Sequence, residues 1–248
     1  FIYILWVFAS GRTTVPIAWK FRHIRLNLIW KIVSVGVPQT LAQILMSLTF
    51  LVMNRIYLSI DPLSMTAASL VGRLEQIVMI PIFALSASLL TVIGQNVGRG
   101  FLHRARTAWR TSLILSVAAV LISATLVVVP ARWIFSHFSS DQGVLRYAVL
   151  QARITEYAFI FAAVAIMCRA VFQAMGRPWP AFILTGLRML GLSLPFIGFF
   201  VYVLDWGIYG LWGGLIAGNV LGAILAFIWA HFYWNKLESG RADYRHTG

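Results

Sequence analysis

Six stretches of this chain are apolar for longer than any soluble fold needs. They run over about 33–60, 63–93, 111–129, 147–175, 181–204 and 208–233. A helix rises about 1.5 Å per residue and the hydrocarbon core of a bilayer is about 30 Å thick, so about 20 such residues cross it. Only 11% of the residues are charged, against about 25% in a soluble domain. Too few charges remain to cover a surface facing water, so the solvent for most of the chain is lipid. The runs lack the strict alternation of barrel strands. The expected fold is an all-α integral membrane bundle of six transmembrane helices.

The punctuation between the runs supports this division. Asp61-Pro62, Gly176 to Pro180 and Asp205 to Gly207 read as turns. Residues 1–10 are apolar but too short to span, and they read as the end of a truncated transmembrane helix. Residues 11–32 form a basic linker, with Ile17, Phe21, Ile24 and Leu28 on one amphipathic face. The lobe proper covers 33–234, and 235–248 form a polar tail.

The formal charge is +13. Its distribution argues for topology and against nucleic acid. Thirteen basic residues lie in 11–33, in 99–110, at Arg177 and in the tail, whereas the alternate loops hold only Arg132 and Arg146. Positive loops stay on the cytoplasmic side. The linker and tail are therefore expected in the cytoplasm, with the protein in the plasma (bacterial inner) membrane. Cys168 is the only cysteine and reads as a packing residue. No spacing of metal ligands and no nucleophile–base set is present, so no catalytic residue, metal or cofactor is expected and the chain does not read as an enzyme.

Charges inside the spans are expensive and mark cavities or partners. Glu75 lies about twelve residues into the second span, near the midplane, and Arg188 reaches a similar depth in the fifth. The depths allow a Glu75–Arg188 ion pair, either as a structural bridge or as a protonatable or cation-binding site. Arg153 and Glu156, three residues apart, are expected to form a local pair. Arg169 and Gln173 lie near the cytoplasmic end, where arginine can snorkel. Gln43, Asn54 and Asn219 either line a cavity or bond between helices. Pro81 and Pro195 fall in mid-span and are candidate hinges. Gly210, Gly214, Gly218 and Gly222, four apart, form a groove for a neighbouring helix.

The order of several short motifs resembles that of the multidrug and toxic compound extrusion (MATE) transporters. They are Gly36-Val37-Pro38, Ala67-Ala68, Gly72-Arg73-Leu74-Glu75, Pro81, Gly94-Gln95-Asn96-Val97-Gly98 with Arg104-Ala105-Arg106, Phe172 to Gly176, Leu187-Arg188, and Gly207 to Gly214. The likeness covers about 30–235. It implies the C-terminal lobe of a twelve-helix transporter, preceded by an N-terminal lobe that this sequence lacks. It also implies export of a small organic solute in exchange for H⁺ or Na⁺, by rocking of two lobes about a central cavity. Glu75 would then be the coupling or substrate carboxylate, with Arg188, Gln43, Asn54 and Asn219 around it. The expected partners are that solute, membrane lipid and the missing lobe. The arginines within the spans leave a second reading open, a flippase of lipid-linked oligosaccharide or polysaccharide from the same superfamily. A membrane-embedded enzyme or assembly subunit is a third.

Overall fold

A computed structural model describes residues 26–240. The expectations for 1–10, for most of 11–32 and for 241–248 lie outside the described residues. The chain divides into two units between Gly36 and Val37. The helix Leu26–Ile60 runs through that boundary.

The described residues contain helices and turns and no strand. Six helical segments are long and apolar enough to cross a membrane: Ile32–Ile60, Pro62–Gly98, Leu102–Val128, Gln142–Ala174, Pro178–Val203 and Gly207–Glu238. They are numbered here as the first to sixth spans. A short helix, Ala131–Ser136, lies between the third and fourth.

Local chemistry sets the boundaries. Asp61 is the N-cap of the second span, with Oδ1 accepting from the Leu63 N–H at 2.9 Å and Pro62 in the first turn, where its missing N–H costs nothing. Asp141 caps the fourth span in the same way, accepting from Gly143 at 2.7 Å and Val144 at 3.1 Å. Asp205 (φ 54°) and Gly207 (φ 51°) turn the chain into the sixth span through left-handed backbone.

Several spans are longer than the apolar runs. The third begins at Leu102 instead of 111, so Arg104, Arg106 and Arg110 sit on helix. Nothing after Gly100 breaks the helix, and Ala105 and Trp109 continue its buried face. The arginines add polar turns to the end of an apolar helix. For the same reason the sixth span runs on to Glu238, where the side chain pairs with Arg106.

Packing buries small and aromatic residues and leaves large aliphatics outside. Ala163, Met167, Cys168 and Ala170 of the fourth span are fully buried, and Trp109 stacks on Phe227 with centroids 5.7 Å apart. Ile77, Ile80, Phe83, Ile114, Ile122 and Leu126 face outward, as expected where the exterior is acyl chain.

The two prolines behave differently. The second span is continuous helix through Pro81. The fifth changes its winding: Leu187–Ser193 is π-helical, Leu194–Gly198 is α-helical with Pro195 in its first turn, and Phe199–Val203 is π-helical again. Pro195 has no N–H for the Gly191 carbonyl, and a wider turn accommodates the loss.

The glycine stripe packs as its spacing predicts. An added Cβ on Gly214 would stand 2.6 Å from Ile197 Cα, one on Gly210 2.8 Å from the Phe200 carbonyl carbon, and one on Gly222 2.6 Å from Arg188 Cγ. The sixth span thus meets the fifth backbone to backbone, and Gly222 receives the Arg188 stem.

Candidate functional site

Five spans converge on a cavity of about 140 Å³. Its polar wall comprises Thr49 from the first span, Glu75 from the second, Gln151 and Thr155 from the fourth, Arg188 and Ser193 from the fifth and Asn219 from the sixth. Met53, Phe159 and Leu215 supply apolar wall between them. Such a mixture of apolar lining and few convergent polar groups is the usual form of a small-molecule site.

The structure brings together three of the residues singled out in the sequence, Glu75, Arg188 and Asn219. It does not join Glu75 to Arg188. Between two described residues the one ion pair within 4.0 Å is Arg106–Glu238. Arg188 instead donates through Nη1 to Asn219 Oδ1 at 2.6 Å. The reason is steric: the Arg188 stem lies along the Gly222 groove, and Asn219 is one turn away on the same face of the sixth span. Glu75 is left facing the cavity without that guanidinium.

Gln43 and Asn54 are not among the cavity residues. Gln43 is exposed on the first span and Asn54 is half-buried. Thr49 and Met53, at helical spacing on the inward face, take the places expected of them.

The Arg153–Glu156 pair does not form either. Three residues on an α-helix put two side chains about 60° apart around its axis, and here that angle straddles the edge of the packed face. Arg153 is exposed, whereas Glu156 is 0% exposed and neither carboxylate oxygen has a hydrogen-bond partner. Glu156 opens a 3₁₀ turn, Glu156–Ala158, that interrupts the fourth span. It follows Thr155, which lines the cavity. The sequence reading assigned Glu156 to the wrong neighbour. The available signal was Gln151 and Thr155, an i, i+4 polar pair in an apolar run.

Arg169 does not snorkel free. It is half-buried, its Nη1 donates to Thr185 Oγ1 at 3.4 Å, and its Nε is buried without a partner. Gln173 donates to Gln39 Oε1 at 2.5 Å, tying the fourth span to the first.

A MatE family model matches residues 38–198, which includes Glu75, Glu156 and Arg188. This chain belongs to the MatE family. Among curated relatives it is 28% identical over 224 residues to a FAD transporter of Shewanella oneidensis, covering 88% of this chain and 48% of that protein. It is 21% identical over 198 residues to a probable multidrug resistance protein NorM of Thermotoga maritima, covering 80% and 43%. Among solved structures, the MATE transporter ClbM in complex with Rb⁺ is 30% identical, with a TM-score of 0.80 over 86% of this chain and 50% of that one. A MOP superfamily transporter from Pyrococcus furiosus gives a TM-score of 0.90 at 21% identity, over 96% and 54%. This MatE chain therefore spans about half the length of the relatives it matches. The expected fold, an all-α integral membrane bundle, agrees with the six spans and with these neighbours.

Proposed function

We propose that this MatE chain is one lobe, the C-terminal one, of a secondary transporter. The transporter exports organic solutes in exchange for H⁺ or Na⁺ and sits in the plasma membrane with its basic loops in the cytoplasm. The observation that carries the reading is Glu75 on the cavity wall. A second carboxylate, Glu156, is fully buried without a hydrogen-bond partner and follows the wall residue Thr155 in the chain. A desolvated carboxylate gains a great deal from taking up a proton or a metal cation. Glu75, on the cavity wall, is the one that an entering ion meets first. Loading and unloading of that ion is the event that a rocking lobe needs to sense.

The relatives named as a FAD transporter and as a multidrug resistance protein support a solute with an organic body. Arg188 and Asn219, bonded to each other on the cavity wall, are the residues proposed to meet that solute.

The test uses the full-length protein in proteoliposomes. Efflux of a fluorescent substrate is driven by a proton gradient or by a Na⁺ gradient, in wild type, Glu75→Gln and Glu156→Gln. Each substitution is expected to uncouple efflux from the effective gradient while solute counterflow persists. Wild-type coupled efflux by both variants would remove the carboxylates from the mechanism. Gradient-independent translocation of a lipid-linked oligosaccharide would instead support the flippase reading. Cysteines placed at Arg104 and Gln142 test the orientation, since only the former should be labelled from the cytoplasm.

A further inference from the structure

A second, larger cavity lies elsewhere among the described residues. It measures about 530 Å³ and is lined by Arg132, Arg146, Arg153, Gln142 and Tyr209, with Leu145, Val149 and Leu150 between them. Arg146 and Arg153 are seven residues apart on the fourth span, two turns along one face, so they stand about 10 Å apart along the axis. Arg132 approaches from the short helix Ala131–Ser136. Arg132 and Arg146 are the two basic residues of the loops that are otherwise poor in positive charge, and both open onto this one cavity.

Three guanidinium groups line one space without a carboxylate partner among the described residues. No described carboxylate lies within 4.0 Å of any of the three. Of the acids at this end of the bundle, Asp61 caps the second span and Asp141 the fourth, and Asp205, before the sixth, forms no ion pair within 4.0 Å with any described residue. Glu156, three residues beyond Arg153, is turned into the protein. The three side chains are exposed, and they come from two elements to line one open cavity, where a cleft edged by one sign of charge concentrates counter-ions.

We infer that this cavity is an anion site for the phosphate or carboxylate group of an organic anion. Planar guanidinium forks suit such groups. Leu145, Val149, Leu150 and the Tyr209 ring supply a face for the organic body, and the volume is that of a small-molecule site. The inference does not depend on ion-coupled antiport, because it concerns a second cavity and equilibrium binding.

The test is calorimetric titration of the purified full-length protein with AMP and with adenosine, together with native mass spectrometry of retained phosphatidylglycerol. The variants are Arg146→Gln/Arg153→Gln and the charge-keeping Arg146→Lys/Arg153→Lys, each checked for folding by gel filtration. AMP binding at least tenfold tighter than adenosine, lost by tenfold or more in the double Gln variant and partly kept in the double Lys variant, supports a soluble anion. Loss of retained phosphatidylglycerol in the Gln variant, with no AMP binding by wild type, supports the same site with a lipid as the source. Equal affinity for AMP and adenosine, or anion and lipid binding unchanged by the Gln variant, overturns the inference. None of these readouts needs an ion gradient, so failed coupling and a failed anion site are told apart.

Discussion

Gly218→Ala adds one carbon where the structure has no room for it. The new Cβ would stand 2.6 Å from Ser193 Cα and 2.7 Å from Ser193 N. Ordinary contact begins near 3.4 Å, so the fifth and sixth spans must separate locally by about 0.8 Å. Ser193 Oγ, nearer still, can rotate away, but the two backbone atoms cannot. Overpacking of a tight interface costs about 1–3 kcal/mol. A control is available in the same protein. On Gly94 the added Cβ meets its nearest neighbour, the Ala174 carbonyl, at 3.6 Å, and in a helix interior alanine is favoured over glycine by up to about 1 kcal/mol. The two substitutions are chemically identical and opposite in expected sign. Unfolding titration with SDS in mixed micelles, followed by tryptophan fluorescence, is expected to place Gly218→Ala below wild type and Gly94→Ala at or above it. The expected gap is at least about 1.4 kcal/mol, tenfold in the folded ratio. If both variants shift together, the claim that the sixth span docks on the fifth through its glycines is wrong.

Three further outcomes follow from other sites. Glu156→Met removes two buried oxygens that have no partners and should stabilise the protein by about 1–3 kcal/mol while abolishing ion coupling; a destabilised variant would mean that the carboxyl has partners in the membrane. Arg106→Gln breaks the pair with Glu238 and the bond to Asn235 Oδ1 at 2.8 Å, but at a partly exposed helix end the loss should stay below about 1 kcal/mol in the same titration. Cys168 is fully buried, so maleimide should label it only after denaturation, and labelling of the folded protein would contradict the packing of the fourth span.

The sequence showed the spans because hydropathy is a property of single residues summed along the chain. Length alone separates a spanning helix from a buried one, and the glycine groove could be seen because a fixed spacing of four survives whatever lies opposite. The site was harder to read. Depth along a helix placed Glu75 and Arg188 at one level, and both do reach one cavity. Depth says nothing about rotation, however, and it is rotation that gave Arg188 to Asn219 and turned Glu156 away from Arg153. Gln43 and Asn54 failed for a related reason: a polar residue in a span can face a neighbour, a headgroup or a cavity, and periodicity does not name which. The π-helical winding of the fifth span also had little signature beyond Pro195, since the energy that stabilises it comes from the helix opposite.

The aspartate caps have a consequence for the whole lobe. Asp61 and Asp141 stand at the starts of the second and fourth spans and Asp205 just before the sixth, where each helix presents the positive end of its macrodipole. Arg99, Arg177 and Lys236 stand at the other ends of those same spans, against the negative poles. Three of the six spans thus have an acid before their start and a base at their end, with opposite signs at opposite ends of the bundle. Exchanging an acid for a base at any of these positions would set the charge against a helix dipole. The charge asymmetry between the two ends of the bundle is therefore tied to the stability of its helix ends.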